Sequence, residues 1–137
     1  MEKNMSQIMA VDVIVRKTAE KTVLTAGGNL SISVSAPSVI EIHGSSQAVS
    51  HYIRQGKDLL IYMKDGSVIR CTNYFAEYPD TPNHSELVFN DGGELTHISF
   101  SEASEPEGFA ATVLTPQEEL IESIEPFLEQ HSRMFDR

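Results

Sequence analysis

The sequence predicts a mainly β protein: a small antiparallel β-sandwich or β-roll with one short helix and an amphipathic C-terminal helix. Three observations carry that prediction. Apolar and polar residues alternate through much of the first hundred positions, the period of a half-buried strand. Glycine-bearing turns separate these runs. Near residue 115 the period changes to that of a helix. With 137 residues, 40% hydrophobic and 22% charged, the chain suits one domain that needs no metal or disulfide staple.

Taken in order, Met9, Val11, Val13 and Val15 alternate with Ala10, Asp12 and Ile14, an incompletely amphipathic strand interrupted by Asp12. Leu30, Ile32, Val34 and Ala36 alternate with Ser31, Ser33 and Ser35 without exception, the clearest strand signal in the chain. Ala26-Gly27-Gly28-Asn29 joins this strand to Thr22–Thr25 as a hairpin, because glycine admits the positive φ of a tight turn. Pro37 ends the strand, and 39–43 resumes an extended run.

Between Ser45 and Gly56 the spacing of Val49, Tyr52 and Ile53 predicts two to three turns of helix. Ser45 or Ser46 would cap its start, and Gly56 would follow its end. The next hairpin, 58–71, permits two registers. A two-residue Asp65-Gly66 turn strands apolar residues on both faces. A three-residue Lys64-Asp65-Gly66 loop pairs Met63 with Ser67 and gathers Leu59, Ile61, Met63, Ile69 and Cys71 on one face, so it is preferred. A further hairpin joins 86–90 to 94–100 through Asp91-Gly92-Gly93, whose paired glycines leave the register open. In the tail, Thr115-Pro116-Gln117-Glu118 has the residues of a helix start, with Pro at the first helical position. An apolar stripe of Leu120, Ile121, Ile124, Phe127 and Leu128 follows, kinked near Pro126.

The domain reading is therefore a β domain over 1–100, an acidic linker or loop over 101–114 and a helix over 115–131. Charge supports that division. Residues 1–100 carry 11 acidic and 8 basic residues, whereas 101–137 carry 9 and 2, so the tail holds most of the net −10. So acidic a chain has no basic footprint for nucleic acid or an anionic membrane surface. No stretch approaches the ~18 apolar residues of a membrane helix, and none reads as a cleavable signal peptide.

Catalytic chemistry finds no foothold in the sequence. His43, His51, His84, His97 and His131 form no HxH or HExxH spacing, so no metal or cofactor is expected. Cys71, the single cysteine, is expected as an inert core thiol. The glycine pairs lack phosphate-loop patterns. Tyr74, Phe75 and Tyr78, beside Pro79 and Pro82, read as a loop anchor before a ligand platform. The tail stripe Leu120, Ile121, Ile124, Phe127 and Leu128 is the candidate partner-binding surface, with packing on its own domain as the plainer alternative.

Three runs carry a family resemblance: Gly56-Lys-Asp-Leu-Leu-Ile-Tyr-Met-Lys-Asp-Gly-Ser-Val-Ile-Arg70, Asn73-Tyr-Phe75, and Ser85-Glu-Leu-Val-Phe-Asn-Asp-Gly-Gly93. Together with Leu30–Ile40 they resemble the BapA prefix-like domain, found at the N-terminus of large repetitive bacterial surface adhesins, over about residues 10 to 100. The resemblance implies a non-enzymatic module for retention, assembly or interaction, at the head of a longer polypeptide exported by a type I system. Its partners would be the secretion channel or further copies, and its location the cell surface or exterior. The alternative is a stand-alone acidic secretion chaperone or adaptor in the cytoplasm, suggested by the low pI of about 4.8 and the acidic tail helix.

Overall fold

The computed structural model describes residues 10–25, 28–101 and 110–129. They form eleven strands: β1 (Ala10–Val15), β2 (Lys21–Thr25), β3 (Leu30–Ser33), β4 (Ser38–His43), β5 (Val49–Gln55), β6 (Asp58–Met63), β7 (Val68–Thr72), β8 (Glu86–Asp91), β9 (Glu94–Phe100), β10 (Ala111–Leu114) and β11 (Pro116–Ile121). A six-stranded sheet has the order β11-β9-β8-β4-β1-β2, and a five-stranded sheet the order β10-β5-β6-β7-β3. The mainly β sandwich is as predicted. The sheets are mixed, however, because β4 pairs parallel to β8 and β3 parallel to β7.

The principal core lies between the sheets. Val11, Ile40, Ile42, Leu87, Phe89 and Ile98 from the larger sheet face Ile32, Tyr52, Leu59, Ile61, Ile69 and Cys71 from the smaller. A second apolar cluster, Ile14, Val39 and Val88, lies on the outer face of the larger sheet. Strands β1, β4 and β8 are therefore covered on both faces. A doubly covered strand has no reason to alternate, which accounts for the uneven pattern of β1.

The hairpin of β6 and β7 takes the three-residue loop. Leu59 pairs with Cys71 and Ile61 with Ile69, and the Met63 N–H donates to Ser67 O at 2.9 Å. Gly66 sits at φ +95°, and the Asp65 carboxylate accepts from both the N–H and the hydroxyl of Ser67. In the hairpin of β8 and β9, Asp91 pairs with Glu94, leaving a two-residue Gly92-Gly93 turn. Both glycines have positive φ, as a type I′ turn requires.

Four expectations are corrected. Residues 46–48 form only a 3₁₀ turn, and β5 replaces the helix expected up to Gly56. Its helix-like spacing has a different cause. The register with β6 shifts between Val49 and His51, and this bulge adds one residue, so Val49 and Tyr52 both turn into the core despite being three apart. Strands β2 and β3 are not a hairpin either: β2 pairs with β1 and β3 with β7, in different sheets. The Asn29 carboxamide, accepting from Val68 N–H at 2.9 Å, ties the crossing segment to the smaller sheet.

The other two corrections concern the tail. Residues 111–121 are strands: β10 joins β5 and β11 joins β9, with Thr115 alone crossing between the sheets. Pro116 is tolerated as the first residue of an edge strand, and Pro126 is the second residue of a 3₁₀ turn, Glu125–Phe127, instead of kinking a helix. Residues 102–109 of the expected linker, and 130–131 of the expected helix, lie outside the described residues.

Two predictions follow from the β6–β7 hairpin. A Cβ at Gly66 meets no atom within 4 Å, so the cost of Gly66→Val is backbone strain at positive φ, about 1–3 kcal/mol in urea unfolding, while Ser67→Thr is near neutral. Burial, and secondarily the Asp58 charge, pushes the Cys71 thiol up to about 12. The native protein should therefore resist thiol reagents at pH 8, and Cys71→Ser should cost about 1–3 kcal/mol.

Candidate functional site

The outer face of the larger sheet and the loop 73–85 between β7 and β8 frame the candidate site. After β11 the chain turns back across that face. Ile121, Ile124, Phe127 and Leu128 pack on Ile14, Val39 and Val88, forming a strap over the sheet. Four of the five residues of the expected partner-binding stripe are thus brought together, but on their own domain. Leu120 is not with them. It pairs with Thr96 at the sheet edge and stays 65% exposed, because alternate residues of a strand face opposite ways.

An ionic clamp holds the strap. The Arg16 side chain, following β1, donates from Nε to Phe127 O at 2.6 Å and from Nη1 to His84 O at 2.6 Å. It also lies 3.3 Å from a Glu86 carboxylate oxygen and 5.7 Å from the Phe127 ring centroid. Glu86 in turn meets His97 Nε2 at 2.7 Å and His84 Nε2 at 3.3 Å. The His97 ring lies 4.9 Å from that of Phe127, Glu129 N–H donates to Arg16 O, and the Asn83 amide donates to the Glu129 carboxylate. Burial alone would raise the Glu86 carboxyl. Hydrogen bonds from His84 and His97, with their charges, outweigh it and hold the group at about 2. The hydrogen bond to Glu86 raises His84.

Beside the clamp opens a cleft of about 580 Å³, lined among others by Arg54, Phe75, Tyr78, His84 and Phe100. The loop supplies most of its walls, and Arg54 and Phe100 reach in from β5 and β9. Asn73 adopts a left-handed φ of 67° and its N–H donates to Asp58, while Phe75 N–H donates to Lys57 O. The Arg54 guanidinium lies 4.3 Å over the Phe75 ring, and Phe75 meets Phe100 edge-on at 6.3 Å. The Tyr78 hydroxyl is buried without a hydrogen-bond partner among the described residues. Tyr74 is buried in the core, as an anchor would be, and lines the cleft together with Phe75 and Tyr78.

Sequence reading missed this clamp because Arg16 and Glu86 are 70 positions apart and no local spacing unites them. One signal was present: Glu86 begins the run Glu-Leu-Val-Phe, a carboxylate entering an apolar central strand, which needs a counter-charge once folded. Among the described residues no helix is long and apolar enough to cross a membrane.

Two measurements test the clamp and the strap. A carboxyl held below its unfolded value of about 4.3 stabilises the fold above that pH, and the stabilisation is lost as pH falls toward 2. Urea unfolding from pH 6 to 2.5 should therefore show an acid-side loss that Glu86→Gln flattens. His84, raised above about 6.5, works in the opposite sense and loses its contribution as pH climbs through its folded value, so the clamp is strongest near pH 5–6. Phe127→Ala should cost about 1–3 kcal/mol, being half-buried, and speed proteolysis beyond residue 121, while Leu120→Ala changes neither.

No curated protein and no solved structure matches the chain significantly. The family model described as the BapA prefix-like domain matches residues 8–135, so it includes the two terminal strands and the strap as well as the paired hairpins, and the chain belongs to that family.

Proposed function

We propose that the chain is a non-enzymatic module of a bacterial surface adhesin, standing at its N-terminal end and serving retention or assembly through contacts with protein. Membership of the BapA prefix-like family over 8–135 is the observation that carries this reading. The site geometry supports it. The charged groups beside the cleft are used mechanically, with Arg16 and Glu86 fastening one segment of the chain to another.

The surface offered to a partner is the sheet edge at β10 and β11. Val113 and Leu120, 67% and 65% exposed, stand on these edge strands, and an exposed edge accepts an added strand through its backbone. Glu118 and Glu119 on β11 guard the edge against indiscriminate pairing. Of the sequence-derived stripe, Leu120 keeps the interaction role. The chaperone alternative drew on an acidic C-terminal helix, and that segment is a strand followed by a strap.

The reading is tested in the source bacterium. Antibody to the domain should label intact cells, and deleting residues 8–135 should shift the polypeptide that carries it from the cell surface into the medium. Leu120→Glu, which leaves folding stability unchanged, should reproduce part of that shift. Labelling only after permeabilisation, or an unchanged surface-to-medium ratio on deletion, overturns the proposal.

A further inference from the structure

The outer face of the larger sheet carries a second polar group, at the end of the strands away from Arg16. Asp12 on β1 is directly opposite Glu41 on β4, and both are nearly buried, at 5% and 9% exposure. Two residues along β4, His43 turns its ring to the same point, with Nε2 2.9 Å from Asp12 Oδ2. The three donor atoms all lie within 4.8 Å of one another. From β8, the Asn90 carboxamide donates to Glu41 Oε2 at 2.7 Å, while its own oxygen accepts from Gly93 N–H at 2.8 Å. The hairpin turn thereby fixes Asn90, and Asn90 fixes Glu41.

The charges at this point do not balance. Like charges directly opposite on neighbouring strands oppose pairing, and burial makes the repulsion worse. Lys21 reaches only to 3.8 Å from Asp12, from a side chain 53% exposed. Glu41 has no cationic partner among the described residues. An ion pair between His43 and Asp12 alone would leave the second carboxylate uncompensated in a nearly dry position.

We infer that Asp12, Glu41 and His43 form a binding site for one divalent transition-metal ion of the Zn²⁺ class. One imidazole and two carboxylates supply three ligands and a charge of −2, and the ion neutralises it. Ligands at about 2.0–2.2 Å from a common ion stand roughly 3–4.4 Å apart, so the observed spread closes with small side-chain rotations. The imidazole selects against Ca²⁺ and Mg²⁺, which require a fuller shell of oxygens. Asn90 holds Glu41 in place as an outer-shell hydrogen bond does in established metal sites. The other histidine–carboxylate group, around Glu86, is unsuited to a cation because the Arg16 guanidinium already occupies it. Bound at Asp12, Glu41 and His43, the ion would staple β1 to β4.

The test is calorimetric titration of the untagged, chelator-treated full chain with ZnCl₂, alongside thermal unfolding. The expected result is one ion per chain, a raised unfolding midpoint, and little response to CaCl₂ or MgCl₂. Glu41→Gln and His43→Ala should weaken binding by more than about 100-fold, and Asn90→Ala by about 10–100-fold. His51→Ala, on the other sheet, should leave it intact. Because Asp12 lies deep in β1, Lys21→Met provides an independent arm. Removing the competing cation should tighten Zn²⁺ binding, whereas it would only weaken a plain ion-pair cluster. Absence of Zn²⁺ binding at 100-fold molar excess, unchanged binding in Glu41→Gln and His43→Ala, or a preference for Ca²⁺ overturns the inference.

Discussion

Strand β4 lies between β1 and β8, its residues from Ser38 to Ile42 are all buried, and a strand so placed must find cover on both sides. On the inner side Ile40 and Ile42 meet the five-stranded sheet across the main core. On the outer side the cover of Val39 among the described residues comes from Leu95 and from the strap of Ile121, Ile124, Phe127 and Leu128. The last described residues therefore complete the cover of the sheet's centre. Without the strap, Val39, Val88 and Ile14 would form an exposed apolar patch at the middle of the larger sheet.

The same requirement explains the polar residues on that face. A strap of one 3₁₀ turn and few backbone bonds is not self-supporting, so side chains must fasten it. Arg16 suits this because a planar guanidinium serves several acceptors at once, here Phe127 O, His84 O and the Glu86 carboxylate. Glu86 then needs its own donors, which His84 and His97 supply. At the other end of the strands no strap segment among the described residues covers Asp12 and Glu41 in this way, and the problem of two facing carboxylates falls on His43, Asn90 and Lys21. The outer face thus reads along its strands as a charged clamp, an apolar seat and a concentration of negative charge.

The path of the chain makes these arrangements possible. β3 enters the smaller sheet and β4 returns to the larger; β5 to β7, β8 with β9, β10 and β11 continue the exchange. Such crossings create parallel pairs where a chain of simple hairpins would be wholly antiparallel. They also leave β10 and β11 as neighbouring edges, one in each sheet, joined through Thr115. The edge proposed as an interaction surface and the strap that completes the core are consequently successive stretches of one segment.

What the amino-acid sequence determined by itself is local. Alternation marked β3 and the β6–β7 hairpin, the demand for one apolar face set the register that pairs Met63 with Ser67, and Cys71 followed into the core. These features depend on residues within about a dozen positions of one another, where period and turn chemistry suffice. Tertiary structure decided the rest. A bulge at Ser50 makes a strand imitate helical spacing over 49–53, because one added residue turns Val49 and Tyr52 to the same side. The stripe from Leu120 to Leu128 has helical spacing but is divided between an edge strand and a strap, since pairing with β9 and cover over Val39 outweigh a helix interrupted by Pro126. Arg16 with Glu86, and Asp12 with Glu41, are distant in sequence and acquire meaning only when β1, β4 and β8 lie side by side. A carboxylate within an apolar strand signals that a partner is needed; which residue answers is a property of the sheet order, which no local pattern encodes.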